Sequence, residues 1–195
     1  MKKSLQEIET DAKESLDIPV FKPARQIFFC PVGLVGAGKT TVTRPISKRV
    51  GLVRLSSDEL RKTLKENGYT YAPVKEIGLR IANEMAREGF SLAFDMDCGN
   101  PEVKSFVEKL AQELSAKAIF VRVEAPEGYV FEKFRRHPPS WLASNPQTMI
   151  DNYYAQKEKR MKENTKFDYF FTFDTSKPDL EEQIEDCVKK IEKQF

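Results

Sequence analysis

Histidine is almost missing from this 195-residue chain; His137 is the only one. One unpartnered imidazole cannot build a Ser-His-Asp triad, a Cys-His pair or a histidine metal cage, which argues against hydrolase chemistry of those kinds. Cysteine is scarce too. Cys30, Cys98 and Cys187 are odd in number and widely spaced. They form neither a zinc pattern nor a disulfide framework, and they read as small packing residues in a reducing compartment. Charge of one sign is not in excess. A formal net charge of +2 supplies no global field that would demand nucleic acid, although it is compatible with a local basic patch. No apolar run approaches the length that spans a bilayer. The opening residues M-K-K-S-L-Q-E-I-E-T-D are too charged for a signal peptide, so the expectation is a cytoplasmic protein without a membrane partner. There is no internal repeat and no low-complexity tract. What is present is an ordinary mixture, 40% hydrophobic and 32% charged, which rules out wholesale disorder. The chain is long enough for one α/β domain with a sizeable core and short for two.

The most informative stretch is Gly33 to Thr41, G-L-V-G-A-G-K-T-T. It matches G-x-x-x-x-G-K-[ST], the phosphate-binding loop. Gly33, Gly36 and Gly38 can take backbone angles that a Cβ forbids, so successive N–H groups can turn inward around a polyphosphate. Ala37 and Thr41 complete the loop. Lys39 adds a point charge for the β- and γ-phosphates, and the Thr40 hydroxyl can ligate Mg²⁺. Gln26–Val32 reads as a short apolar strand before the loop. Thr40–Val50 reads as the helix whose positive dipole end faces the phosphates. The firm expectation is nucleotide binding.

The rest of the chain alternates short apolar runs with longer amphipathic segments. After Gln26–Val32 the runs are Leu52–Leu55, Phe90–Asp95, Ala118–Val123 and Tyr169–Phe173. Gly51, Gly68 and Gly89 each follow a periodic stretch, as helix C-caps do. Asn100-Pro101 and Asn145-Pro146 look like N-cap and first-turn pairs. Repeated strand–helix alternation predicts an α/β fold with a five-stranded parallel sheet and helices on both faces. Ser4-Leu5-Gln6-Glu7 resembles a capping box ahead of a further helix. Residues 1–24 are therefore read as an N-terminal helix and linker, and residues 25–195 as the α/β domain. His137-Pro138-Pro139-Ser140 marks the clearest break within that domain, with a lid expected around residues 135–146.

In a parallel sheet the chemistry belongs just past the carboxyl ends of the strands. Asp58 sits there after the second strand, where it could accept a proton from an attacking hydroxyl. Arg61, one turn on, can face the same cleft. The competing reading has Ser57 or Asp58 capping the helix and Arg61 solvated. The third strand closes in Asp95-Met96-Asp97. Asp95 is the favoured metal-side acid, and Asp97 either lines the acceptor site or is a turn residue. Arg135 and Arg136 precede the double-proline break. They can stabilise the transferring phosphoryl group, or they can complement a helix end. Trp141, Tyr153 and Tyr154 could stack on a base or simply pack.

The order of these pieces resembles a known group. A phosphate loop, S-S-D-E-L-R after the second strand, an Asp-terminated third strand, paired arginines before a lid, and F-D-T-S-K-P near the end are similar to the small P-loop kinases of the polynucleotide kinase and zeta-toxin group. The resemblance covers roughly Gln26 to the C-terminus and leaves out residues 4–17. It implies a three-layer P-loop kinase fold with strand order 2-3-1-4-5, and ATP and Mg²⁺ as cofactors. It implies Asp58 as general base, Arg61 as a contact to the acceptor-side phosphate, and Asp174, Thr175 and Ser176 as the loop that borders the adenine. The reaction implied is transfer of the γ-phosphoryl group to a hydroxyl, with the 5′-hydroxyl of a polynucleotide ranked ahead of a UDP-sugar, small metabolite or antibiotic. A nucleotide-dependent switch or ATPase without an organic acceptor is the remaining class, and it has no need of a base at Asp58. A basic track through Arg61, Lys62, Lys65, Lys75 and Arg80 would favour nucleic acid. A closed apolar or neutral pocket would favour a small molecule.

Overall fold

The computed structural model describes residues 3–136 and 145–195. The chain opens with α1 (Leu5–Glu14), started by the expected capping box: the Ser4 hydroxyl accepts from the Glu7 N–H, and the Glu7 carboxylate accepts from the Ser4 N–H. Strand and helix then alternate: β1 (Ile27–Val32), α2 (Lys39–Val50), β2 (Val53–Ser56), α3 (Ser57–Glu66), α4 (Val74–Arg87), β3 (Leu92–Asp95), α5 (Pro101–Glu113), β4 (Lys117–Glu124), α6 (Glu127–Arg136), α7 (Pro146–Glu163), β5 (Phe171–Asp174) and α8 (Leu180–Gln194). The five strands form one parallel sheet in the order β2-β3-β1-β4-β5.

Every residue of β1 is buried, as a central strand covered on both faces requires. Side-chain alternation splits it between two cores. Phe28 and Cys30 face the cluster under α1, α3, α4 and α5, whereas Ile27 and Phe29 face the cluster under α2 and α8. Phe28 meets Phe94 edge to face with centroids 6.1 Å apart, a contact worth about 0.5–1.5 kcal/mol beyond the area it buries. All three cysteines are free and buried; burial pushes the Cys187 thiol up to about 12. Gly51, Gly68 and Gly89 all carry positive φ, and Asn100 and Asn145 cap α5 and α7 as expected. No helix among the described residues is long and apolar enough to cross a membrane.

Helix α1 is docked. Ile8 is fully buried in the core, Glu9 receives the Arg80 guanidinium of α4, and Lys13 bonds Glu84 and Glu88 at 2.9 and 2.8 Å. Strand register aligns the carboxyl ends of the strands: Ser56 pairs with Asp95, Val32 with Arg122, and Glu124 with Asp174. The ends of all five strands therefore open along one side of the sheet. The lid expected around residues 135–146 falls largely on residues 137–144, which lie outside the described residues, as do His137 and Trp141.

Candidate active site

The loop from Gly33 to Gly38 joins β1 to α2 at the centre of this edge. Gly36 and Gly38 take φ of +79° and +94°, the left-handed region that a side chain disfavours. Gly38 is the N-cap of α2 and contributes no side-chain bond to it, which leaves the first N–H groups of the helix for an anion. Gly33 is needed for a different reason. A Cβ there would lie 2.2 Å from the Val123 carbonyl oxygen of β4. Gly33→Ala is therefore expected to destabilise the fold by about 1–3 kcal/mol through overpacking. Thermal melting checks this, because about 2–4 °C is lost per kcal/mol in a domain of this size.

Each flank of the loop is tied down. The Lys39 ammonium donates to the carbonyls of Gly33 and Leu34 at 2.9 and 3.0 Å. Desolvation lowers its pKa, while the carboxylates of Asp97 and Asp95 act the other way. Thr40 Oγ1 donates to Asp95 Oδ1 at 2.9 Å, and Arg54 donates to Asp95 Oδ2 at 2.6 Å. Burial raises the pKa of the Asp95 carboxyl against both of these bonds. Thr40 and Asp95, each expected on the metal side, are thus in contact, and Asp97 points elsewhere. It accepts from Gln156 at 3.2 Å and pairs with Arg160, both on α7. Gln156 Oε1 in turn accepts the Val35 N–H of the loop at 2.6 Å. After β5, Thr175 Oγ1 donates to the Ala37 carbonyl at 2.7 Å, and Asp174 accepts from the Ser176 N–H and hydroxyl. Thr175 therefore borders the loop, with Asp174 and Ser176 beside it, beyond β4 in the sheet and away from β3 and Asp97.

At the end of β2 the helix cap is Ser56, whose hydroxyl accepts from the Glu59 N–H. Neither Ser57 nor Asp58 performs that role. Asp58 lies in the first turn of α3 and receives the Arg61 guanidinium at 2.6 Å, with Ser57 Oγ 3.1 Å from the same nitrogen. Arg135 and Arg136 are exposed at the end of α6, and Arg136 pairs with Glu132. Their neighbour Phe134 is buried against the loop, since a Cβ on Gly36 would sit 2.5 Å from its ring. Tyr153 is buried beside Phe131 and so packs, whereas Tyr154 is exposed and its hydroxyl donates to Glu127. A cavity of about 890 Å³ opens beside Ser57, Arg61 and Asp97 and follows β2 between α2 and α3–α4.

A family model described as an AAA domain matches residues 29–139. The chain belongs to that family. The match spans the phosphate loop, the Asp58–Arg61 pair and Asp95, so this AAA-domain chain carries the family's span across the whole edge from β1 to α6. No curated protein matches the sequence. A putative kinase from Chloroflexus aurantiacus superposes with a TM-score of 0.61 at 17% identity, covering 92% of this chain and 100% of that one. The APS kinase CysC of Mycobacterium tuberculosis, in complex with AMPPNP and APS, gives 0.56 at 16%, covering 87% and 99%. A gluconokinase from Sinorhizobium meliloti gives 0.56 at 14%, covering 89% and 94%. The shared fold is that of P-loop kinases.

Three residues at this edge escaped the sequence reading. Arg54 is a lone charge inside the short strand V-R-L-S, and that interruption was its signal. Gln156 and Arg160 are four apart on α7, hence on one helical face. Nothing local told that this face meets Asp97, because α7 comes some sixty positions later in the chain.

Proposed function

We propose that this protein is a kinase that binds ATP with Mg²⁺ and transfers the γ-phosphoryl group to the hydroxyl of a small molecule. The observation that carries this reading is the bond from Thr40 Oγ1 to Asp95 Oδ1, with Asp58 standing at the end of the adjacent strand. Lys39 and the N–H groups of the loop and of the start of α2 bind the phosphates. Thr40 and Asp95 offer a hydroxyl and a carboxylate, hard oxygen donors of the kind Mg²⁺ selects while keeping few protein ligands. Bound there, the ion would neutralise charge on the phosphates. Asp58 accepts the proton of the attacking hydroxyl, and Arg61 orients that carboxylate and meets the acceptor. Arg135 and Arg136 are the proposed contacts to the transferring group, supported by the packing of Phe134 on the loop.

The choice of a small molecule over a polynucleotide end rests on compensation of charge. Arg61 is paired with Asp58, Lys62 with Glu66, Lys75 with Glu102, and Arg80 with Glu9 and Glu76. These carboxylates would repel a phosphate backbone from the track that was expected to attract it. The cavity next to them has the size of a small-molecule site. Incubation with γ-labelled ATP and a panel of 5′-hydroxyl oligonucleotides, UDP-sugars and extract metabolites tests the reading. Label on a small molecule is expected. Label on an oligonucleotide overturns the acceptor class, and ATP hydrolysis with no labelled acceptor assigns the chain to the switch or ATPase class. On the acceptor so found, Arg61→Ala is expected to raise the acceptor KM by about 10-fold or more, the value of a hydrogen bond to a charged group. The Kd for ATP should stay unchanged; a shift confined to ATP would remove Arg61 from the acceptor side.

A further inference from the structure

The large apolar side chains left exposed are not scattered. Among the described residues they are Leu5, Ile18, Val20, Phe21, Tyr71, Tyr129, Tyr154 and Met161. Ile18, Val20, Phe21 and Tyr71 all line the cavity beside β2. Three of these four belong to the segment that joins α1 to β1. That segment is seated. Gly51, the C-cap of α2, has φ +75°, and a Cβ there would fall 2.5 Å from the Phe21 carbonyl oxygen and 2.9 Å from its ring. Behind the segment, α1 is fixed by Ile8 in the core and Glu9 on Arg80. Contiguous exposed apolar surface of this kind marks a binding site rather than ordinary surface.

The facing wall is cationic. Arg44 and Lys48 stand one turn apart on α2 and both line the cavity, as does Arg54 on β2. Asp17 and Glu59 are the carboxylates at this end. Glu59 is held by Arg54 and lies 3.5 Å from Arg44, and Lys48 has no ion-pair partner among the described residues. Arg54 is also held by Asp95, so Arg54 and Arg44 are compensated by Glu59 and Asp95, and Lys48 is the cation left to meet a single anionic group. Lys48 is eight residues along α2 from Thr40, about 12 Å of helix rise. The cavity therefore has a catalytic end at Ser57, Arg61 and Asp97, an apolar wall, and Lys48 on its α2 side.

We propose that the segment of residues 17–21 is the outer wall of the acceptor site, and that the acceptor is an amphipathic monoanion. Its hydroxyl lies at the Asp58 end, its apolar body along Ile18, Phe21 and Tyr71, and its anionic group at Lys48. Placing the hydroxyl rests on the kinase reading; the apolar wall and the anion subsite do not.

Two dyes that share an aromatic body separate the terms: 8-anilino-1-naphthalenesulfonate and the uncharged N-phenyl-1-naphthylamine. In fluorescence titrations of the full chain, the sulfonate is expected to bind at least 10-fold tighter than the neutral dye. Lys48→Glu should remove that preference while leaving the neutral dye bound, and Phe21→Ala should weaken both. ATP titration of both variants reports an intact phosphate loop. An equal effect of Lys48→Glu on the two dyes, no effect on either, or full-strength binding by Phe21→Ala overturns the proposal. Failure of the kinase reading looks different: the dye pattern holds, yet no acceptor is phosphorylated. Conversely, transfer to a neutral acceptor with the same KM in Lys48→Glu keeps the kinase and removes the anion subsite.

Discussion

Lys39→Ala is expected to reduce phosphoryl transfer at least ~10²–10³-fold, the usual loss when one preorganised contact to developing charge is removed. Among the described residues the ammonium donates to the carbonyls of Gly33 and Leu34 alone, and its burial lowers its pKa. Removing it therefore relieves a desolvated charge as well as breaking two hydrogen bonds, and little net change in melting temperature should follow. The backbone cradle remains, because it is made by Gly36, Gly38 and the start of α2. ATP titration, single-turnover transfer and thermal melting on the same variant check all three statements. ATP affinity and turnover both equal to the parent would overturn the assignment of the loop.

Asp58→Asn is expected to bind ATP like the parent and to lose ~10²–10⁴-fold in kcat, the contribution of a general base. The structure makes this substitution cleaner than the sequence promised. Asp58 does not cap α3, since Ser56 does, so the amide disturbs no helix start. Its pairing with Arg61 is partly exposed, and losing such a pair costs about 0.2–1 kcal/mol. A large drop in kcat without a matching drop in melting temperature is the signature of the base. Unchanged turnover at saturating ATP and acceptor would leave Asp58 as one half of a surface ion pair.

The elements were legible because local chemistry specifies them. Alternation of apolar runs with amphipathic segments located all five strands to within two residues at each boundary. Gly51 ended α2 and Asn100 began α5 because a left-handed residue and a side-chain acceptor are what those helix ends demand. The phosphate loop was legible for the same reason: its glycines, lysine and threonine act through the backbone of one contiguous turn. The position of Asp95 was legible because it closes an apolar strand at the carboxyl edge of the sheet. The cap of α3, read as Ser57 or Asp58, is Ser56, one or two residues earlier and within the ordinary uncertainty of a helix end.

The sequence by itself determined the parallel α/β sheet, the loop and the set of charged residues at the strand ends. Which of those residues meet was decided by the tertiary structure. Thr40 reaches Asp95 rather than Asp97 because β3 lies beside β1 in the sheet, and Asp97 is taken by Gln156 and Arg160 of α7. The charge on the presumed nucleic-acid track was visible in the sequence, but its neutralisation was not, because Glu9 and Glu102 come from α1 and α5. The linker was readable as an extended segment with two prolines. Its role beside β2 depends on Phe21 resting on Gly51, thirty positions away. Periodicity and capping are encoded within a few residues, whereas ion pairing and cavity walls join segments that only the packed chain brings together.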